Sequence, residues 1–224
     1  MTKKIFVVIP AYNESSNIEI VIKETKKYVK DVVVVDDGSS DNTAFISENA
    51  GADVLRHIVN MGKGAALKTG CDYAIMRGAE ILIAIDADGQ HEPKEISNFI
   101  KNINGSEVIL GYRQLNDEMP FILKLGNRFI SFTVKILYGL RLRDTQCGYR
   151  AFTSNAYKKI RWKVSDYSME SEMIANMGKY HVKYKEIPIK TIYSDKYKGT
   201  TVLDGIKIVF NMVLWKLRIK NSGD

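Results

Sequence analysis

Two carboxylates separated by one small residue, Asp86-Ala87-Asp88, stand at the end of an apolar run and are followed at once by Gln90 and His91. An extended turn of this composition presents oxygens to one hard divalent cation, and Mg²⁺ or Mn²⁺ held this way shares its shell with substrate phosphates. The same spacing suits an aspartate that caps the helix beginning near Pro93. A second acidic group, Asp36-Asp37-Gly38-Ser39, closes the run VVVV. A carboxylate there can accept a hydrogen bond from a ribose hydroxyl or a base N–H. The competing reading is a solvated turn with Ser40 or Asp41 capping the next helix, and Asp41 is assigned that cap. Asn60-Met61-Gly62-Lys63-Gly64 can set backbone N–H groups and an ammonium beside a diphosphate at a helix N-terminus. It lacks the G-x-x-x-x-G-K-[ST] pattern and reads equally as a glycine-rich turn.

Cations follow later in the chain: Arg113, Arg128, Arg141, Arg143, Arg150, Lys196 and Lys198. Most belong to a solvated surface. Arg150 stands apart because it follows Asp144-Thr145-Gln146-Cys147-Gly148-Tyr149, a stretch too rich in small and polar groups for an ordinary core strand. An arginine in such a loop suits bidentate phosphate recognition.

These residues need elements to position them. Short β-branched runs alternate with amphipathic stretches: Ile5–Ile9, Ile18–Tyr28, Val32–Val35, Thr43–Ala50, Ala65–Met76 and Ile81–Ile85. That alternation predicts an α/β fold with a parallel sheet and crossover helices. VVVV and ILIAI are apolar without alternation, as strands covered on both faces are. The polar clusters all follow strand ends, and in open α/β sheets ligands bind at the carboxyl edge. Three such loops on one edge make one site. Beyond about residue 115 the pattern predicts helices over Phe121–Tyr138 and Met169–Lys179, an alternating strand over His181–Lys190, and a last helix from about Val202 to Ile219. No linker or internal repeat interrupts the chain, which reads as one domain over 1–224. The pattern divides at about residue 115: residues 1–115 carry the strand-end polar clusters, 116–201 the later helices and strand, and 202–220 an amphipathic helix.

At 224 residues and 45% hydrophobic, the chain can bury one sizeable core. Its 33 Lys+Arg against 26 Asp+Glu give a net charge of +7, which favours an anionic partner: nucleic acid, acidic lipid or a phosphorylated substrate. Cys71 and Cys147 are far apart without metal-ligand spacing, so neither a disulfide framework nor a zinc site is expected, and a reducing cytosol is the default. The N-terminus enters a strand at once without a signal-peptide pattern. No segment reaches the roughly 18 apolar residues of a membrane span. The expectation is a soluble or peripheral protein on the cytoplasmic face of a membrane.

VVIPAYNES (Val7–Ser15), VVDDGSSDNT (Val34–Thr43), NMGKGAALKTG (Asn60–Gly70), DADGQHEP (Asp86–Pro93), DTQCGYRAF (Asp144–Phe152) and EIPIK (Glu186–Lys190) resemble, in this order, the family-2 glycosyltransferases. More narrowly they resemble the dolichyl-phosphate and polyprenyl-phosphate mannosyl- and glucosyltransferases, over nearly the whole chain. The resemblance implies a GT-A fold, a single Rossmann-like domain in which Pro10, Tyr12, Glu14 and Asp37 hold the nucleotide with help from Asp86. It places Asp88 and Gln90 on Mg²⁺ or Mn²⁺ under the diphosphate. It brings Arg113, Ser131, Arg150 and the basic residue of a late R-x-x-G segment, here Lys196, to the diphosphate and acceptor phosphate, and Glu172 near the reaction centre. Two departures fall on the acceptor side. Lys196-Tyr197-Lys198-Gly199 carries lysine where arginine is usual, and in Asn127–Ser131 the basic residue precedes the serine by three positions rather than four.

Inversion at an anomeric carbon needs in-line attack while a diphosphate leaves, so the site must neutralise charge developing on the leaving group. A phosphate monoester is already largely anionic at neutral pH and needs no base, whereas a sugar hydroxyl needs a carboxylate such as Glu172 or Glu170. The expected activity is transfer of a hexose from GDP-mannose or UDP-glucose to a polyprenyl phosphate. The alternatives are a hydroxyl acceptor and a non-catalytic nucleotide-binding module. A nucleic-acid partner is not expected, since the basic residues form no platform interleaved with aromatics. The segment Ile206–Trp215, followed by Lys216, Arg218 and Lys220, reads either as an interfacial membrane helix or as a cover for the sheet.

Overall fold

A computed structural model describes residues 3–113, 121–192 and 202–221. Seven strands form one sheet: β1 (Ile5–Ala11), β2 (Asp31–Asp36), β3 (Asp53–Arg56), β4 (Ile81–Ala84), β5 (Val108–Arg113), β6 (Arg150–Thr153) and β7 (Tyr184–Ile189). Their order is β3-β2-β1-β4-β6-β5-β7. β6 runs antiparallel to both neighbours and the other pairings are parallel, so the expected mainly parallel sheet is present.

The helices are α1 (Ile18–Lys26), α2 (Thr43–Asn49), α3 (Lys63–Met76), α4 (Ile96–Asn102), α5 (Phe121–Tyr138), α6 (Ser154–Ile160), α7 (Met169–Lys179) and α8 (Val202–Asn221). They cover both faces of the sheet, which is why β1 and β2 are apolar at successive positions. Val8, Val33 and Val35 face a core closed by α3, α5, α6, α7 and α8. Val7, Ile9, Val32 and Val34 face a second core closed by α1 and α4.

Pairing register sets the functional edge. Ala11 lies opposite Asp36, and the Asp37 N–H donates to the Ala11 carbonyl, which brings the loop after β2 beside Pro10 and Tyr12. Ala84 lies opposite Arg150 in the antiparallel β4–β6 pair, so the residues leaving β4 run alongside those entering β6.

α8 closes the core with one face and exposes apolar side chains on another. Ile208 and Met212 are buried in the core, and the Tyr138 hydroxyl donates to the Met212 carbonyl at 2.6 Å. Phe210, Val213, Leu214 and Leu217 face outward, as do Phe129, Phe132 and Ile136 on α5, which packs against α8. Among the described residues no helix is long and apolar enough to cross a membrane.

Candidate active site

The strand ends of β1, β2 and β4 open on a cavity of about 770 Å³, in the range of small-molecule sites. Of the residues singled out in the sequence, Pro10, Tyr12, Glu14, Asp37, Lys63, Asp86, Asp88, Gln90 and Arg113 line it. So do His91, Gln146, Gly148, Asp166, Tyr167, Glu170, Thr191, Lys207 and Ile208.

At its centre the Lys63 ammonium lies 2.8 Å from Asp86 and 3.1 Å from Glu170. Burial acts against both charges, but the pairing prevails: Lys63 is held above the usual lysine range and Asp86 well below the usual carboxylate range. His91 supports Asp86 from its other side at 3.5 Å. Asp88 behaves oppositely. Burial, and then the charge on Asp86, push its carboxyl up, while the Gln90 N–H donates to it at 3.0 Å. Glu170 is 4% exposed and its Oε2 has no hydrogen-bond partner. An unsatisfied buried carboxylate oxygen costs free energy unless a ligand supplies a donor or a cation.

Lys63 reaches this position because Asp37 holds the loop before α3. Its Oδ1 accepts from Met61 N–H at 2.9 Å and its Oδ2 from Gly62 N–H at 2.8 Å. Gly62 has φ +94°, and a Cβ there would sit 2.5 Å from the Ser165 carbonyl. The Ala65 N–H donates to that same carbonyl. Within the loop Asn60–Gly64, the N–H groups of Met61 and Gly62 are taken up by Asp37, and the Lys63 side chain faces the cavity.

Arg113 lines the opposite wall, its Nε at 2.7 Å and its Nη2 at 3.1 Å from the two oxygens of buried Asp144. Despite burial, this pairing keeps the Asp144 carboxyl below its ordinary value.

Five expected positions differ. Asp36 is fully buried, takes the Ser39 N–H, and pairs with Arg56 at 3.1 Å, so it shapes the turn rather than facing a ligand. Arg150 is the first residue of β6, is 2% exposed, and lies outside the cavity. Its guanidinium donates to the Cys147, Thr145 and Glu170 carbonyls, so its role is to brace the DTQCGYR segment against α7. Glu172 is turned away and accepts from the Lys163 and Val164 N–H groups at 2.9 Å. Glu170, two residues earlier, is the one that faces the site. Ser131 is half-buried on α5 and is not among the lining residues. Lys196 lies outside the described residues. The N-cap position of α2 is Asn42 rather than Asp41; Asp41, one residue earlier, accepts from Thr43 and Ser15, and these bonds outweigh burial to bring its carboxyl down to about 2.

The glycosyl transferase family 2 model matches residues 6–165. The chain is 34% identical to a UDP-N-acetylglucosamine–dolichyl-phosphate N-acetylglucosaminyltransferase of Methanococcus voltae, over 96% of this chain and 97% of that protein. It is 27% identical to a polyprenol monophosphomannose synthase of Mycolicibacterium smegmatis, over 97% and 88% respectively. Among solved structures it resembles glucosyl-3-phosphoglycerate synthase from Mycobacterium tuberculosis in complex with Mg²⁺ and UDP. The TM-score is 0.74 at 18% identity, covering 99% of this chain and 81% of that one. The chain belongs to glycosyl transferase family 2 and has the GT-A fold. Its relatives include enzymes named for transfer to polyprenyl phosphates.

Proposed function

We propose that the protein transfers a hexose or N-acetylhexosamine, with inversion, from a nucleotide sugar to a polyprenyl phosphate. The observation that carries this reading is the position of α8. Lys207 and Ile208 form part of the cavity wall, while Phe210, Leu214 and Leu217 of the same helix make an exposed apolar stripe beside α5. A site whose wall continues into an apolar surface suits an acceptor with a charged head and a hydrocarbon tail.

Pro10, Tyr12, Glu14 and Asp37 line the end of the cavity where the nucleotide would lie. The oxygen donors of Asp86, Asp88 and Gln90, close together on the cavity wall, fit Mg²⁺ or Mn²⁺. Among the described residues no three acidic, histidine or cysteine side chains form a ready cage, so diphosphate oxygens and water would complete the shell. When bound, the ion would neutralise charge on the leaving diphosphate. Lys63 and Arg113 line the same cavity, each held by carboxylate partners, and can donate charge-assisted hydrogen bonds to phosphate oxygens of the donor or the acceptor. An acceptor phosphate is already ionised and needs no proton removed. The second reading, a sugar hydroxyl as acceptor, draws on the partnerless oxygen of Glu170, which is placed to accept a proton.

The test is a thermal-shift panel of UDP- and GDP-sugars with and without Mn²⁺, followed by radiolabel transfer from the stabilising donor to a polyprenyl phosphate. Selective stabilisation is expected, because a ligand that binds only the native state raises its melting temperature. Stabilisation without transfer to lipid phosphate would instead support the hydroxyl acceptor or a binding module.

A further inference from the structure

His57 follows β3 and is not among the cavity residues, yet its ring joins two elements that shape the site. Nδ1 lies 2.7 Å from Asp37 Oδ1, and Nε2 lies 3.0 Å from the Thr69 hydroxyl on α3. Its backbone N–H donates to the Asp36 carbonyl at 2.9 Å, so the ring is anchored from the main chain as well. An ionised carboxylate only accepts, which puts a proton on Nδ1 and leaves Nε2 to bond the Thr69 hydroxyl. Asp37 Oδ1 is then fully engaged by His57 and the Met61 N–H, while Oδ2, holding only the Gly62 N–H among these bonds, keeps capacity for a donor from a ligand.

We propose that His57 is a positioning residue for donor binding: its Nδ1–H orients the Asp37 carboxylate, which in turn aims one oxygen at the nucleotide and fixes the loop that delivers Lys63 to Asp86 and Glu170. This rests on the reading that Asp37 contacts the donor nucleotide. His57 acts through Asp37 and touches no reacting atom.

Two substitutions separate the ring's two bonds. Asparagine places an amide N–H near the position of Nδ1, and glutamine places one near that of Nε2. Binding of UDP and of GDP, each with Mn²⁺, is measured by titration calorimetry on the full chain, with ligand-free melting temperatures alongside. His57→Asn is expected to bind within about twofold of wild type, and His57→Gln about tenfold more weakly, the scale of one charge-assisted bond. Equal Kd values for wild type and His57→Gln, or equal weakening in both variants, overturn the proposal. Should His57→Gln fail to fold, His57→Asn decides alone: near-wild-type affinity supports the proposal, and a tenfold loss overturns it. If wild type binds neither nucleotide, the proposed function fails and this inference with it.

Discussion

Gly148 has no side chain because the Asp86 carboxylate fills the space one would need. A Cβ on Gly148 would lie 2.5 Å from one oxygen of Asp86 and 2.9 Å from the other, closer than side-chain atoms approach. The contact follows from register. Ala84 pairs with Arg150 in antiparallel strands, so two residues after the first faces two residues before the second. The loop that ends in β6 therefore sets the lateral position of Asp86, and with it the ammonium of Lys63.

Gly148→Ala is expected to lower the rate of transfer by about tenfold or more, since a displacement near 1 Å in a positioned group has costs of this order or larger. Gly148 is not in the left-handed region, so no backbone strain adds to the clash and the melting temperature should change little. Steady-state kinetics and thermal melting decide it; an unchanged kcat would mean that the position of Asp86 is unimportant.

Asp88→Asn should abolish most transfer while the fold persists. It removes a charged ligand for the ion and with it stabilisation of the leaving group, a loss of about 10² or more in rate. Mn²⁺ titration followed by electron paramagnetic resonance gives an independent readout, with weaker binding expected in the presence of UDP or GDP. Wild-type activity of the variant in EDTA would remove the metal from the mechanism.

The two glutamates of α7 should separate by phenotype. Glu170→Gln keeps the side-chain shape and leaves Lys63 its second partner Asp86, so transfer should fall with little loss of stability. Glu172→Ala leaves the partly buried Lys163 and Val164 N–H groups without their acceptor, at about 1 kcal/mol for each lost bond. Urea denaturation and activity measured on both variants test the assignment, and the reverse pattern would return Glu172 to the reaction centre.

Asp144 and Arg113 form a mostly buried pair, and removing one charge from such a pair costs about 3–5 kcal/mol. Asp144→Asn should lose stability of that order at neutral pH. Because the folded carboxyl titrates below its ordinary value, its contribution is complete above the unfolded pKa and disappears as pH falls through the folded one. Urea midpoints measured from pH 7 to pH 2 should therefore keep a constant gap between wild type and variant down to about pH 4 and begin to converge only below it. A gap that stays constant to pH 2 would show that the pairing does not depend on this ionisation.

Replacing Phe210 and Leu217 together by serine should reduce flotation with anionic liposomes at low salt, if the outward stripe of α8 meets the bilayer. Substitution is the appropriate test, because deletion of the helix would also remove the core residues Ile208 and Met212. Equal flotation of both proteins, or none by either, would make the stripe a contact for something other than lipid.

The residues of this chain determined by themselves that a parallel sheet carries polar loops on one edge. Period and composition are local properties, and VVVV, ILIAI and the loops after them are contiguous in sequence. Asp37, Asp86, Asp88 and Gln90 stood out for the same reason, since they follow strands whose direction the crossover helices imply, and Lys63 stood out from the glycine-rich turn that opens α3. Only the tertiary structure decided the far wall. β6 inserts antiparallel between β4 and β5, two strands distant in sequence, and that single reversal places Gly148 on Asp86 and Arg113 against Asp144. Arg150 resembled a phosphate ligand because its polar neighbours suggested an exposed loop, but as the first residue of a central strand its guanidinium is spent on buried carbonyls. The choice between Glu170 and Glu172 was likewise closed to sequence. Residues two apart on a helix point in different directions, and which one faces the cavity depends on how α7 is rotated against the sheet, a property set by packing with α6 and α8.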